Sequence, residues 1–451
     1  MLTRKNLLLA AVWAVPFIGF ALLHAMGWGD VQTASVLLSL GAITIALINW
    51  SSHGGGRSPS FIFLAFLVVF LTGRAIPSLF GGESYLASIT FGSEFEVGYD
   101  IVGTYVGLVL LSALAVHLGS LLPAASHRSL DPTKMDANIY LFLFFLCLPV
   151  YLYKNYYYFS YLMQSGGYLA IYLGSEHIEG VGVFIRVGAL FCLAAFTLYF
   201  FHENDKIRAR RALVLFLIVF SSELLVGLRG KFFVVAIMFL LFYKLRFGGK
   251  FSAHGLFGLV LVIFVLAFVV EVMRQGGTSI EGSLLLGFFI QQGATAGVNL
   301  FVLENLDLFS DNAITYFLRQ FTVPFYSQPE VQEGWFLSND ISMMVMPTAY
   351  ALGFGTGSSY LAELLLLGGW AGVVIGSLVV GWSLGMLGRF NQGVTGALMF
   401  WVACGIVYYP RTMLHDPVHN LMRYAIPIIA LAACCWMVQR MWSATRKASA
   451  R

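Results

Sequence analysis

The chain has 451 residues, 59% of them hydrophobic and only 11% charged, with a formal net charge of +4. Its mean hydropathy is +0.81. A soluble enzyme or nucleic-acid-binding domain of this length needs a much larger charged surface, so those classes are excluded. Apolar stretches of about 20 residues recur instead, the length a helix needs to cross the hydrocarbon core. The alternating short strands of a membrane barrel are not seen. The expected fold is an all-α polytopic integral membrane protein.

In chain order, the apolar runs predict twelve transmembrane helices, near 7–27, 31–50, 60–80, 98–122, 138–156, 182–201, 212–228, 231–246, 255–273, 359–384, 393–410 and 420–441. The first follows Arg4 and Lys5, as in a signal peptide. It reaches Trp28 without a small-residue cleavage site and so reads as a retained helix. Two outer connections exceed the usual lengths. One, near 157–181, is tyrosine-rich, with eight tyrosines between Tyr151 and Tyr172. The other, 274–358, is the largest hydrophilic part, and its run Gly282–Leu303 is apolar but broken by Gln291, Gln292 and Asn299. One or two re-entrant or interfacial helices there would raise the count to 13 or 14. The chain thus divides into helices over 1–273, a large outer loop over 274–358, helices over 359–441 and a tail over 442–451. The five cysteines all lie in apolar runs with no CxxC spacing, against a disulfide framework or a zinc site.

Alternating the spans from a cytoplasmic N-terminus places 17 of the 26 basic residues, but only four of the 22 acids, on the inner side. That agrees with the positive-inside rule and puts both termini in the cytoplasm. Nine basic residues defy the bias: Arg74, Lys154, Arg186, Arg229, Lys231, Arg274, Arg319, Arg411 and Arg423. A cation at that depth needs a carboxylate partner, an interfacial position or an anionic ligand. Arginine suits forked binding of phosphate.

Three segments could carry chemistry. Gly227-Leu228-Arg229-Gly230-Lys231 joins two apolar runs with almost no loop, a hairpin that pins two cations at the membrane–water boundary. Gly353-Phe354-Gly355-Thr356-Gly357-Ser358-Ser359-Tyr360 leads into a span. Ser358 or Ser359 can cap that helix, its N-terminus can face an anion, and Glu363 follows one turn in. Tyr409-Pro410-Arg411 through His415-Asp416-Pro417-Val418-His419 forms a short proline-bracketed loop. His415, Asp416 and His419 could ligate a metal, although Pro417 breaks regular spacing; no metal or other cofactor is expected. Glu363, His415 and Asp416 are the candidate proton acceptors. Tyr157, Tyr161 and Tyr360 could stack on sugar rings, or belong to an interfacial aromatic belt. Glu223 and Glu271, within or at the ends of spans, suit internal salt bridges.

The Gly353–Glu363 stretch running into Gly368, Gly369, Gly372 and Gly376, the Leu228–Lys231 hairpin and the late outer loop together resemble the O-antigen polysaccharide polymerases, the Wzy family. The topological resemblance covers nearly the whole chain; the motifs are confined to about 220–235 and 350–376. The resemblance implies a glycosyltransferase of the bacterial inner membrane. It would transfer a growing chain from undecaprenyl pyrophosphate to a fresh lipid-linked repeat unit at the periplasmic face. The implied partners are that substrate, membrane lipids, a chain-length regulator and a flippase. Arg229, Lys231, Arg411, Arg274, Arg319, Ser358 and Ser359 are then the candidates for binding pyrophosphate. An arginine motif of the family, with ten residues between the arginine and a glycine, is not met at Arg274, where Leu285 stands. An O-antigen ligase and a flippase of the lipid-linked unit are the competing readings. The concentration of charge on one side favours an enzyme over a flippase.

Overall fold

The computed structural model describes residues 30–53, 58–90, 94–122, 136–164, 182–227, 229–248, 284–319, 334–351, 355–390 and 392–449. The expected spans near 7–27 and 255–273, residues 165–181 of the tyrosine-rich loop, Glu271 and Arg274 lie outside them. Helices Val31–Ser52, Pro59–Leu71, Tyr99–Leu121, Ala137–Gln164, Val183–His202, Lys206–Phe220, Arg229–Phe247, Tyr360–Leu387, Gly393–Val407 and Asp416–Ser449 each overlap an expected span. Six described helices are long and apolar enough to cross a membrane, and a bent pair raises the number to seven. That pair is Leu286–Gln292 with Ala294–Glu304, bent by 43° in the apolar run that Gln291 and Gln292 interrupt. Short helices Leu306–Ser310, Ala313–Arg319, Leu337–Val345 and Pro347–Ala351 occupy more of the region read as a loop. One small antiparallel hairpin pairs Ser88–Thr90 with Glu94–Glu96.

The chain forms two compact units, one of Met1–Ala125, Thr278–Met386 and Gly405–Asp416, the other of Ser126–Gly277, Leu387–Cys404 and Pro417–Arg451. In the first, small residues bring helix Tyr99–Leu121 against Tyr360–Leu387. Ser112 Oγ lies 2.8 Å from Ser377 Oγ. A Cβ on Gly381 would sit 2.1 Å from the Val116 carbonyl oxygen, and one on Gly385 3.0 Å from that of Ser120. Lipid is as apolar as the helix, so such close backbone approach is what drives helices together in a membrane. The paired positions rise together along both chains, so this stretch of the two helices runs parallel.

Tyr360–Leu387 is not the single rod that its unbroken hydropathy predicts. Gly368 and Gly369 leave the helical region, and Gly369 has φ 58° and ψ −145°, a combination open essentially to glycine alone. Beyond this turn the helix folds back on its own first arm. The Leu364 carbonyl oxygen comes within 2.4 Å of a Cβ built on Gly372, and the Leu364 side chain meets Gly376. Eight residues of continuous helix would separate the first pair by about 12 Å. The segment is a helical hairpin with a short arm, Tyr360–Leu367, that carries Glu363.

The second unit is held by phenylalanines. Phe196 stacks on Phe216 at 4.0 Å and Phe239 meets Phe400 at 4.2 Å, while Trp401 stacks on Tyr424 at 3.6 Å. Asp205 caps Lys206–Phe220 by accepting from the Ile207 and Arg208 amides.

Replacing Gly369 with alanine forces an L residue into its excluded conformation, and we expect a loss of about 1–3 kcal/mol. Thermal unfolding in detergent measures it; an unchanged melting temperature would refute the hairpin turn.

Candidate functional site

The short arm begins with a cap: Ser359 Oγ accepts from the Leu361 amide at 3.3 Å. Before it, Gly357 has φ 75°, and the Thr356 amide donates to Ser342 Oγ at 2.9 Å, which ties the entry segment to helix Leu337–Val345. Ser358 and Ser359 are buried. One turn in, Glu363 is 4% exposed and engaged at both oxygens. Ser358 Oγ donates to Oε1 at 2.8 Å and the Leu414 amide to Oε2 at 2.9 Å. A buried carboxylate survives only when its oxygens are satisfied in this way.

Leu414 belongs to the loop after Tyr409–Arg411, a 3-10 turn. Tyr409 donates its hydroxyl to the Leu414 carbonyl at 2.7 Å, so both backbone polar groups of Leu414 are held by buried side chains. Arg411 Nη1 donates to Gln292 Oε1 at 2.8 Å, and its guanidinium lies 5.2 Å over the Phe70 ring. Both partners are neutral. Among the described residues Arg411 has no carboxylate within ion-pair distance.

His415 is 9% exposed and lies against Phe336. Burial lowers its pKa from 6.5 to about 4, which leaves the ring neutral at neutral pH. Its 3.9 Å approach to Asp416 Oδ1 is therefore neither an ion pair nor, at that length, a hydrogen bond. Among the described residues no three His, Cys, Asp or Glu side chains gather as metal ligands.

Glu363 also lines a small cleft with Ala313, Tyr316, Phe317, Leu366 and Leu367. Tyr316 donates to Asp340 Oδ2 at 2.6 Å, and the Gly334 amide lies 3.0 Å from both Asp340 oxygens. The sequence reading missed Gln292, Tyr316 and Asp340 as parts of this site. Only Gln292 left a signal, as a polar residue in an apolar run.

The structure therefore brings Glu363, Ser358, Ser359, Arg411, His415 and Asp416 together in the first unit. Tyr360 is fully buried in the same unit, its hydroxyl held by Ser112 and its ring stacked on Tyr409, so it has no face open to a sugar. Arg319 lies 4.6 Å over the Trp335 ring. Tyr157 and Tyr161 lie on helix Ala137–Gln164 of the second unit, which runs past the expected span end at 156. Lys231 is in that unit too, bonded to Glu223 Oε1 at 3.2 Å. Gly227, with φ 81°, makes the tight turn before helix Arg229–Phe247; the Arg229 side chain lies outside the described residues.

Long apolar helices, a glycine-turned helical hairpin and a satisfied buried carboxylate beside an arginine held by neutral groups define a multi-pass membrane protein with a polar site inside it. The family model described as O-antigen polysaccharide polymerase Wzy matches residues 10–446, and the chain belongs to that family. No curated protein and no solved structure matches the chain.

Neutral His415 makes acid destabilising. Its unfolded form binds a proton from about pH 6.5 downward and its folded form only from about pH 4. The contribution of His415 to stability is thus complete above pH 6.5 and falls as pH drops towards 4. Melting temperature against pH should show this limb in the native protein and a flatter one in His415→Gln; identical curves would refute it.

Proposed function

We propose that this protein polymerises oligosaccharide repeat units carried on undecaprenyl pyrophosphate, acting at the periplasmic face of a bacterial inner membrane. The observation that carries the reading is the family match along nearly the whole chain. Transfer breaks the bond between the donor's anomeric carbon and the pyrophosphate oxygen and forms one to a hydroxyl of the acceptor unit. The hydroxyl loses its proton and the pyrophosphate leaves with the electron pair. Glu363, an acceptor at both oxygens and a wall of the cleft, is our choice for the proton acceptor. Asp416 is the second choice. His415, neutral at working pH, is a third that can accept a proton but is screened by burial. Arg411 is our choice for the leaving pyrophosphate, because a cation positioned by neutral groups, with no carboxylate at ion-pair distance among the described residues, stabilises charge as it develops. Arg229, Lys231, Arg274 and Arg319 are further candidates for pyrophosphate, Ser358 and Ser359 for positioning, and Tyr157 and Tyr161 for stacking on sugar. A chain-length regulator and a flippase are the proposed partners.

The proposed topology has twelve spans and cytoplasmic termini, with the site opening to the outside. The parallel run of Tyr99–Leu121 and the long arm of the hairpin supports it. If the short arm is re-entrant from the outer side, an odd number of crossings must separate the two helices. The five expected spans between 138 and 273 supply that number, with the bent pair at 286–304 returning to the side it entered.

The test is incubation of purified protein in detergent with a synthetic lipid-linked repeat unit and no nucleotide sugar, with and without EDTA. Laddered products that persist in EDTA are expected; absence of product from folded protein would sink the reading. In the same assay Glu363→Gln should slow polymerisation by about 10²–10⁴-fold. Arg411→Ala should slow it by about 10²-fold or more, with Arg411→Lys recovering part. Full activity in Glu363→Gln would remove that residue from the chemistry.

A further inference from the structure

In the second unit, Glu223 is fully buried and gathers three donors on one oxygen. Oε1 accepts from the Tyr151 hydroxyl at 2.8 Å, from Lys231 Nζ at 3.2 Å and from Lys154 Nζ at 3.4 Å. Among the described residues, two ammonium groups on one carboxylate leave positive charge unbalanced. The Lys154 and Lys231 side chains are only 14% and 27% exposed. Unbalanced charge withdrawn from water this far calls for an anion.

The same cluster holds two buried acceptors with no donor among the described residues, Glu223 Oε2 and Asn155 Oδ1. Asn155 is 3% exposed, and its amide nitrogen is already engaged, 2.7 Å from Ser222 Oγ. Buried acceptors are costly unless something donates to them. A bare anion answers the charge and leaves the acceptors unmet; water answers the acceptors and leaves the charge. A phosphate flanked by hydroxyl groups answers both. Aromatic faces stand alongside: Lys154 Nζ is 5.9 Å over the Tyr158 ring, and Tyr157 and Tyr161 follow one and two turns along the same helix.

We propose that Lys154, Asn155, Glu223 and Lys231 form a binding site for a phosphate bearing adjacent hydroxyls, the chemistry of a glycosyl phosphate or of a phosphatidylglycerol headgroup. The cations hold the phosphate, and the Asn155 and Glu223 oxygens accept from the hydroxyls as the lysines shift towards the ligand. The site deepens the polymerase reading by adding the sugar side of the pyrophosphate, and rests on that reading only for the choice between the two sources.

Affinities of the full-length protein in detergent, measured by thermophoresis, test it with two pairs of probes. One pair is a short-chain prenyl pyrophosphate with and without an attached sugar. The other is short-chain phosphatidylglycerol against phosphatidic acid. We expect about tenfold tighter binding of the hydroxyl-bearing member of at least one pair, the scale of one or two hydrogen bonds. The sugar pair showing it assigns the site to substrate; the lipid pair alone assigns it to headgroups. Lys154→Met should weaken every phosphate probe by about tenfold. Asn155→Ala, which keeps every charge and leaves Glu223 Oε2 as the one remaining acceptor, should cut the hydroxyl preference by several-fold and leave hydroxyl-free probes unchanged, and it stays readable even if the lysine variant does not fold. Equal binding within both pairs, or a preference that is undiminished in Asn155→Ala, overturns the site. Binding needs no turnover, so intact binding with no polymerisation counts against the proposed function and not against the site.

Discussion

A carboxylate and a peptide group taken out of water must each find a partner, and in the first unit they find one another. The Leu414 amide donates to Glu363 while the Leu414 carbonyl accepts from Tyr409. This fixes the 409–414 loop from both sides, and the rest of the site follows from it. With the loop fixed, Arg411 reaches Gln292, the last residue before the break in the bent helix pair. Gly293 at that break packs on backbone, since a Cβ there would lie 2.5 Å from the Arg74 nitrogen, and one on Gly73 would lie 2.3 Å from the Phe289 carbonyl oxygen. One continuous set of contacts thus runs from the carboxylate to the bend.

Glycine makes this arrangement possible in two distinct ways. At Gly73, Gly293 and Gly381 the missing side chain lets backbones touch, which in lipid replaces the hydrophobic force that would join helices in water. At Gly369 the need is conformational: only glycine reverses the chain there, and the reversal sets Glu363 within the unit instead of along a lipid-facing rod. The aromatic stack of Tyr360 on Tyr409 then joins the short arm to the loop that Glu363 anchors.

Hydropathy made the helices legible because the bilayer demands about 20 apolar residues whatever the fold. The same property hid the hairpin. A turn at Gly368–Gly369 leaves an apolar run apolar, and glycine in a membrane helix reads as packing. The capping serine and Glu363 stood out because a polar cluster at the head of a span is rare. Asp340 and Tyr316 did not, since 24 residues without shared periodicity separate them and only tertiary contact unites them. Lys154, Glu223 and Lys231 were each visible as charges in or near spans. Their sharing of a single oxygen was not, because it depends on helix Ala137–Gln164 meeting the turn before Arg229–Phe247.

The two polar clusters treat their cations differently, and the difference bears on what each can do. Lys154 and Lys231 share a carboxylate, so their field on an incoming anion is partly offset before it arrives. Arg411 is positioned by an amide oxygen and an aromatic face, which orient the guanidinium without neutralising it. A group that helps a reaction must act more strongly on the transition state than on the bound substrate. In the proposed reaction a preoriented guanidinium would meet that condition as the pyrophosphate gains charge on departure, because among the described residues no ion pair has first to be broken. The lysine pair, whose charge is already shared with Glu223, is better suited to holding a phosphate whose charge does not change.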